Sequence, residues 1–213
     1  MQGVRIATML AVAIAIATVV LACAGTVAPP AGLASAAASP TGTPAATTGA
    51  SGSPAASQRT ESRMPFTITS TDFPDGGPIP RKFSCDGENV SPALNWEGVP
   101  DGAATLALIV DDPDARGFVH WVVFNMTASQ TGGLAEAVSA SPDAPTQGKN
   151  GRGTIGWTGP CPPSGTHRYA FTLLALDDTL ALPGTPTADE LREAAGGHIL
   201  AEAVLTGTYT RGG

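Results

Sequence analysis

The sequence predicts a mainly β fold for one domain that spans residues 64–213. Segments with the alternating or β-branched pattern of strands recur through this part of the chain. Clusters of Gly and Pro separate these segments, such as FPDGGPIP at 73–80 and TGPCPPSG at 158–165. Since a length of about 150 residues is typical of a single domain, one hydrophobic core is expected.

Five segments have the strand pattern, and one later segment has a helix signal. The predicted strands are, in chain order, 66–70, 93–96, 105–111, 118–125 and 168–176. Thr187 and Glu190 form a T-x-x-E capping box, which predicts that a helix begins there. Gly196 and Gly197 interrupt this helix, so the domain is expected to contain little helical structure.

The first 63 residues predict export and tethering. Arg5 precedes an uncharged apolar run over residues 6–22, which is the layout of a signal peptide over residues 1–22. The run ends in VLAC, which resembles a bacterial lipobox, so lipid attachment at Cys23 is expected. Residues 23–63 are mainly Ala, Gly, Pro, Ser and Thr, which predicts a flexible linker. The protein is therefore interpreted as a lipoprotein anchored in the cell envelope, with an uncleaved N-terminal anchor or simple secretion as alternatives.

The charge balance excludes partners that need a basic surface. The chain has 18 Asp and Glu against 11 Lys and Arg, which gives a formal net charge of −7 at pH 7. Nucleic acids and anionic membrane surfaces are repelled by such a charge, so no nucleic-acid partner is expected. Contact with the membrane is expected through the lipid anchor, and any small anion has to bind in a local pocket.

Two cysteines remain once Cys23 is assigned to the lipid anchor. Cys85 and Cys161 form an even pair in an oxidising compartment, which predicts a disulfide between them. The alternative is that Cys161 acts as a nucleophile served by His167. No neighbouring residue in the sequence suggests an activated thiolate, which favours the disulfide.

Two histidines lie in or beside predicted strands, in the company of polar residues. His120 follows the acidic turn that contains Asp112, and His167 lies two residues before Tyr169 on the same face of its strand. If the two strands belong to one sheet with matching faces, both imidazoles and the phenol meet near Asp112. Such a cluster of titratable groups beside apolar chain predicts a shared site.

Strand alternation also separates neighbours of these histidines. It directs Trp121 away from His120, so Trp121 is interpreted as a packing residue. The third histidine, His198, lies in GGHILAEAVL and is interpreted as a satisfied core residue.

Two long motifs resemble the signatures of the phosphatidylethanolamine-binding protein family, in its bacterial Raf-kinase-inhibitor-like branch. They are DDPDARGFVHWVVFN at 111–125 and GPCPPSGTHRYAFTLLALD at 159–177. FSCDGENVSPALNW at 83–96 and GHILAEAVLTGTYTR at 197–211 add to the resemblance, which covers most of residues 65–211. It implies a large antiparallel sheet packed with a smaller one in Greek-key fashion, with a few short peripheral helices.

The resemblance also implies a small preformed pocket for phosphate, a phosphorylated headgroup or a similar anion, without a metal or other cofactor. Carried over position by position, the pocket residues are Asp112, His120, Pro162, Pro163, His167 and Tyr169. Asp112 is expected either to orient a histidine or to accept a proton from a monoanionic phosphate.

One turn departs from the family pattern. Here Arg116 and Gly117 directly follow D-P-D-A, where the family usually has a proline and a longer turn. Arg116 is expected either to reach over the pocket mouth and favour anions or to be a solvated loop residue. Asp114 and Arg116 are therefore secondary candidates for the pocket.

These observations predict a non-catalytic anion-binding domain at the outer face of a membrane. A further role as inhibitor of or scaffold for an envelope protein is part of this expectation. The alternative is a metal-dependent enzyme, because Asp112, His120 and His167 are also the residue types of a two-histidine, one-carboxylate metal site. No hydrolase or kinase motif accompanies them, which favours binding over catalysis.

Overall fold

The computed structural model describes residues 64–212, and these contain seven β-strands, one α-helix and three 3-10 turns. The strands are β1 (Thr67–Thr69), β2 (Leu94–Glu97), β3 (Thr105–Asp112), β4 (Phe118–Thr127), β5 (Thr131–Leu134), β6 (Thr166–Leu176) and β7 (Ile199–Thr210). The helix α1 is Ala188–Ala195, and the 3-10 turns are Arg81–Phe83, Pro113–Ala115 and Val138–Ala140. The predicted signal peptide, Cys23 and the linker lie outside the described residues. No helix within residues 64–212 has the length and apolar character to cross a membrane.

The strands form two antiparallel sheets, as predicted. The larger sheet has the order β4-β3-β6-β7, and the smaller sheet has the order β1-β2-β5. The five predicted strands are confirmed, with ends that shift by no more than about two residues. The mainly β fold with little helix is therefore confirmed.

Two strands were not predicted, and both depend on tertiary pairing. β5 contains Gly132 and Gly133, which have low strand propensity, but it pairs with β2 over its whole length. β7 contains the run ILAEAVL, whose Ala, Leu and Glu favour helix, but it pairs with β6 from Ile199 to Thr210. The predicted helix is confirmed as α1, with the Thr187 and Glu190 capping box formed.

Each face of the larger sheet packs against a different apolar layer. The inner face meets the smaller sheet in one core, to which the large sheet contributes residues such as Val110, Phe171 and Leu205. The outer face is covered in part by α1, whose Leu191 lies in a second core with Val122. Arg192 of α1 also donates a hydrogen bond of 2.6 Å to the Asp111 carboxylate at the end of β3.

A bulge in β4 changes which residues share a face. Val110 of β3 pairs with Trp121, but the next residue, Asp111, pairs with Val119, so His120 is an extra residue in β4. As a result, both His120 and Trp121 contact the ring of Trp157, at centroid distances of 6.5 and 5.9 Å. The prediction that Trp121 faces away from His120 is therefore wrong, because it assumed strict alternation.

We expect Leu191→Ala to destabilise the fold by about 2–5 kcal/mol, because Leu191 is fully buried and the substitution leaves a cavity under α1. Urea unfolding at equilibrium measures this loss. Leu200→Ala is the control, since Leu200 is 43% exposed and its truncation should cost far less. Equal losses in the two variants would contradict the packing of α1 on the sheet.

Candidate functional site

A cavity of about 210 Å³ lies at the edge of the larger sheet where β3 ends and β6 begins. Its lining residues are Asp112, Ala115, Phe118, His120, Arg152, Cys161, Pro162, Pro163 and His167. Five of the six predicted pocket residues are therefore brought together here. Tyr169 is the sixth, and it does not line the cavity.

Asp112 joins three separate parts of the chain. Its Oδ1 atom accepts hydrogen bonds of 2.9 Å from the backbone N–H groups of Asp114 and Ala115, and so caps the 3-10 turn after β3. Its Oδ2 atom accepts a hydrogen bond of 2.7 Å from Nδ1 of His167. Asp112 is only 3% exposed, so these three donors compensate the loss of water around the carboxylate. Of the two roles expected for Asp112, the geometry favours orientation of a histidine.

His167 is held with one ring nitrogen inward and one toward the cavity. Nδ1 is bound to Asp112, and the side chain retains 15% exposure. Since the two imidazole nitrogens lie on opposite sides of the ring, Nε2 is the atom available to a ligand. When the ring is protonated, Nε2 donates a hydrogen bond.

His120 is buried and has a different partner. Its Nδ1 lies 2.6 Å from the carbonyl oxygen of Thr158, and its ring contacts Phe118 and Tyr169 edge-on at 5.0 and 5.1 Å. Burial lowers the pKa of His120 below the usual histidine value, although the bond to Thr158 acts in the opposite direction. The ring is therefore neutral near pH 7.

Tyr169 supports His120 instead of lining the cavity. It is completely buried, and its hydroxyl makes no hydrogen bond within the described part of the chain. Burial and the nearby charge of Asp112 raise the pKa of the Tyr169 phenol, so the hydroxyl stays protonated. The expectation that Tyr169 lines the pocket differs from the structure, in which His120 lines the cavity and Tyr169 packs edge-on against the His120 ring.

Another wall of the cavity is a loop fastened to the 3-10 turn Arg81–Phe83 and to the segment that follows it. Trp157 donates a hydrogen bond from Nε1 to the Phe83 carbonyl, and the backbone N–H of Gly159 donates to the Asn89 side chain. A Cβ atom on Gly159 would lie 2.2 Å from the Phe83 carbonyl oxygen, so only glycine fits at this close approach. The loop therefore carries the Pro162 and Pro163 rim in a defined position.

The predicted disulfide is present in the same wall. Cys85 and Cys161 are bonded, with their Cα atoms 5.5 Å apart. The alternative of Cys161 as a nucleophile served by His167 is therefore wrong, because its sulfur is not a thiol. Cys161 also lines the cavity. The disulfide therefore fastens the cavity wall to Cys85, in the segment after the 3-10 turn Arg81–Phe83.

The cation at the cavity is Arg152, which sequence reasoning missed. Its Nε atom donates a hydrogen bond of 2.9 Å to the hydroxyl of Thr158, which brings the guanidinium to the cavity wall. Arg116 is exposed in a left-handed conformation with φ of 57° and does not line the cavity, so it is a loop residue. One signal was available, since Arg152 is the one Lys or Arg between residues 150 and 167.

Asp114 does not belong to the cavity either. Its carboxylate forms an ion pair of 2.7 Å with the Arg168 guanidinium and also accepts a hydrogen bond from the Arg168 backbone. These bonds hold the pKa of Asp114 well below its usual range. Asp114 therefore joins the 3-10 turn to β6 beside the cavity and is fully occupied by that contact.

His198 is placed differently from its prediction. Its side chain is 42% exposed, and Nδ1 lies 2.8 Å from the Asp177 carboxylate. The interpretation of His198 as a core residue is wrong, because the preceding Gly-Gly turn leaves it at the surface where β7 begins.

The residues do not fit a metal site. Within residues 64–212, no group of three His, Cys, Asp or Glu side chains is arranged to hold a metal ion. Both oxygens of Asp112 accept protein hydrogen bonds, from the turn after β3 and from Nδ1 of His167. Asp112, His120 and His167 are therefore not placed as the two-histidine, one-carboxylate metal site of the alternative function.

Comparison with known proteins identifies the family. A profile of the family described as phosphatidylethanolamine-binding protein (PEBP) matches residues 69–210, which include every residue of the cavity. The chain belongs to the PEBP family. The two sequence motifs that suggested this family thus correspond to the two segments that meet at the cavity.

Relatives of this PEBP domain come from archaea and bacteria. A UPF0098 protein of Methanothermobacter thermautotrophicus is 51% identical over 145 residues, which cover 66% of this chain and 95% of that protein. LppC of Mycobacterium tuberculosis, which is named as a candidate lipoprotein, is 45% identical over 153 residues, covering 68% of this chain and 72% of LppC.

Two solved structures have the same fold. A PEBP homologue from Chlamydia trachomatis, CT736, has a TM-score of 0.63 at 41% identity and covers 68% of this chain and 97% of its own. YbcL of Escherichia coli, described as a member of the mammalian PEBP family, has a TM-score of 0.63 at 30% identity, with coverages of 68% and 98%. Both similarities are strong enough to confirm the predicted fold.

We expect acidification to destabilise this PEBP domain through His120. Below pH of about 6.5 the ring is protonated in the unfolded chain, whereas burial disfavours its protonation in the fold. The unfolded state then binds more protons, so stability falls as pH decreases. Urea unfolding at pH 7.5 and 5.5 should show a smaller loss in His120→Asn than in the wild type, with His198→Asn as control. An unchanged loss in His120→Asn would contradict the assignment.

We expect the double variant Cys85→Ala, Cys161→Ala to lose about 2–5 kcal/mol of stability, because the disulfide closes a segment with a sequence separation of 76 residues. Equilibrium unfolding of the oxidised wild type and the double variant measures the difference. Reduction of the wild type should produce the same loss and none in the double variant. A wild type that is insensitive to reduction would show that the bond is not structurally important.

Proposed function

We propose that this PEBP domain is a non-catalytic module that binds phosphate, a phosphorylated headgroup or a similar small anion in the cavity. One observation carries the proposal. Two imidazoles are each fixed through Nδ1, at distances of 2.6 and 2.7 Å, and present Nε2 to one cavity that also contains the Arg152 guanidinium. Such convergent, preformed polar groups are typical of a binding site for a small ligand.

The local charge supports an anion in spite of the net charge of −7. The carboxylates of the acidic turn are already engaged, Asp112 with His167 and the backbone, and Asp114 with Arg168. Arg152 remains as a cation on the lining, and its guanidinium suits the geometry of phosphate oxygens. The cavity therefore offers donors and positive charge where the rest of the surface is acidic.

The state of the possible nucleophiles supports binding without catalysis. Cys161 is part of a disulfide, and the Tyr169 hydroxyl is buried with a raised pKa. His120 and His167 use Nδ1 for fixed protein contacts, and within residues 64–212 no hydroxyl or thiol is hydrogen-bonded to either ring. The cavity thus has groups that can hold a ligand, while Cys161 and Tyr169 are not free to act as nucleophiles.

The proposal includes a place in the cell envelope. The relative LppC is named as a candidate lipoprotein, which supports lipid attachment at Cys23 and a tether over residues 23–63. The disulfide supports an oxidising compartment. An anchored domain of this kind would sample anions at the outer face of the membrane or present its surface to an envelope protein.

We expect inorganic phosphate to bind with micromolar to millimolar affinity, as measured by isothermal titration calorimetry on the full chain. His167→Asn keeps a donor for Asp112 but removes Nε2, and Arg152→Gln removes the cation. Each should weaken binding about tenfold or more, because a hydrogen bond to a charged group is lost.

His198→Asn is the matched control, because His198 has the same contact between Nδ1 and a carboxylate but lies outside the cavity. Its affinity should equal that of the wild type. Absence of phosphate binding to the wild type, or unchanged affinity in both His167→Asn and Arg152→Gln, would reject the proposed function.

A further inference from the structure

The hydrogen bond at Nδ1 of His120 determines what its other nitrogen offers to a ligand. The partner of Nδ1 is the carbonyl oxygen of Thr158, at 2.6 Å. A carbonyl oxygen only accepts hydrogen bonds, so Nδ1 carries the hydrogen. In the neutral imidazole, Nε2 then has a lone pair and accepts.

Nε2 of His120 is open to the cavity. In the described part of the chain, the buried side-chain polar atoms that lack a hydrogen-bond partner are Trp96 Nε1 and Tyr169 Oη. His120 is buried and its Nε2 has no protein partner, so this atom must retain access to the cavity that the residue lines. Nε2 of His120 is therefore a hydrogen-bond acceptor to which no protein group in the described residues donates.

The surroundings keep this acceptor from becoming a donor. The ring lies between Phe118 and Tyr169, and its burial disfavours the charged form. The charged groups that act on it are Asp112 and Asp111, which favour protonation, and Arg152, which opposes it. Burial outweighs the two carboxylates, so His120 remains neutral while Arg152 provides positive charge.

On the basis of the proposed function, we infer that the cavity selects phosphate groups that retain a proton: inorganic phosphate or a phosphate monoester, in preference to sulfate or a phosphate diester. The P–OH group donates to Nε2 of His120. The remaining oxygens accept from Arg152 and from His167 when its ring is protonated.

Anions without a hydrogen leave this acceptor unsatisfied. Sulfate carries no proton at neutral pH, and the anion of a simple phosphate diester has no P–OH group. An oxygen lone pair of either anion would therefore face the lone pair of Nε2 of His120. A phosphate monoester has its second pKa at about 6, so the protonated form is available near neutral pH. The lone pair on Nε2 of His120 therefore provides discrimination that the positive charge of Arg152 alone does not.

Four probes test the inference by calorimetry on the full chain at pH 6.5: inorganic phosphate, methyl phosphate, dimethyl phosphate and sulfate. Phosphate and methyl phosphate should bind about tenfold to a hundredfold more tightly than the other two. Comparison of inorganic phosphate with phosphoethanolamine then shows whether free phosphate or a phosphorylated headgroup is preferred.

His120→Asn is the matched variant, because its amide N–H₂ group keeps a donor near Thr158 and removes the acceptor at the position of Nε2. The preference for protonated anions should disappear in this variant and persist in His198→Asn. If His120→Asn does not fold, nitrogen-15 NMR of the wild type provides a second measurement. Nε2 of His120 should have the shift of an unprotonated imidazole nitrogen and should respond to phosphate but not to sulfate.

The outcomes separate the inference from the proposed function. Equal affinity for all four probes, or an undiminished preference in His120→Asn, overturns the selection of protonated phosphate but leaves anion binding intact. A wild-type Nε2 that carries a hydrogen also overturns the inference. Failure of all four probes to bind removes the proposed function itself.

Discussion

The buried carboxylate of Asp112 is the interaction on which the candidate site depends. It accepts two backbone hydrogen bonds from the turn after β3 and one from His167 at the start of β6. A carboxylate with 3% exposure is costly unless its lone pairs are satisfied, so turn, strand and histidine have to adopt this arrangement together. The site is therefore preformed by the same contacts that make the buried charge tolerable.

The two imidazoles of the cavity differ because their partners differ. Nδ1 of His167 contacts the carboxylate of Asp112, and Nε2 donates to a ligand when the ring carries both hydrogens. Nδ1 of His120 contacts a carbonyl in a buried setting, where the neutral ring is favoured. Two residues of one type thus provide a potential donor and an acceptor in a single cavity, with Arg152 as the permanent cation.

The acidic segment that precedes β4 distributes its three carboxylates among three tasks. Asp111 binds Arg192 of α1 on the outer face, Asp112 orients His167, and Asp114 fastens Arg168 of β6. Neighbouring residues in a strand point to opposite faces, which explains why Asp111 and Asp112 have different partners. The D-D-P-D run thereby connects the larger sheet, α1 and the 3-10 turn, and Asp112 of this run orients a histidine at the cavity.

The sequence by itself determined the mainly β class, five strands, the capped helix, the paired cysteines and five of the cavity residues. These follow from local periodicity, capping chemistry, cysteine number and motifs that are continuous in the chain. Only the tertiary structure decided that β5 and β7 are strands, that a bulge turns His120 and Trp121 to the same side, and that Arg152 replaces Arg116 at the cavity. These features depend on tertiary contacts, such as strand pairing between segments that are distant in the chain and the hydrogen bond from Arg152 to Thr158. A local sequence pattern does not determine which residues will come into contact.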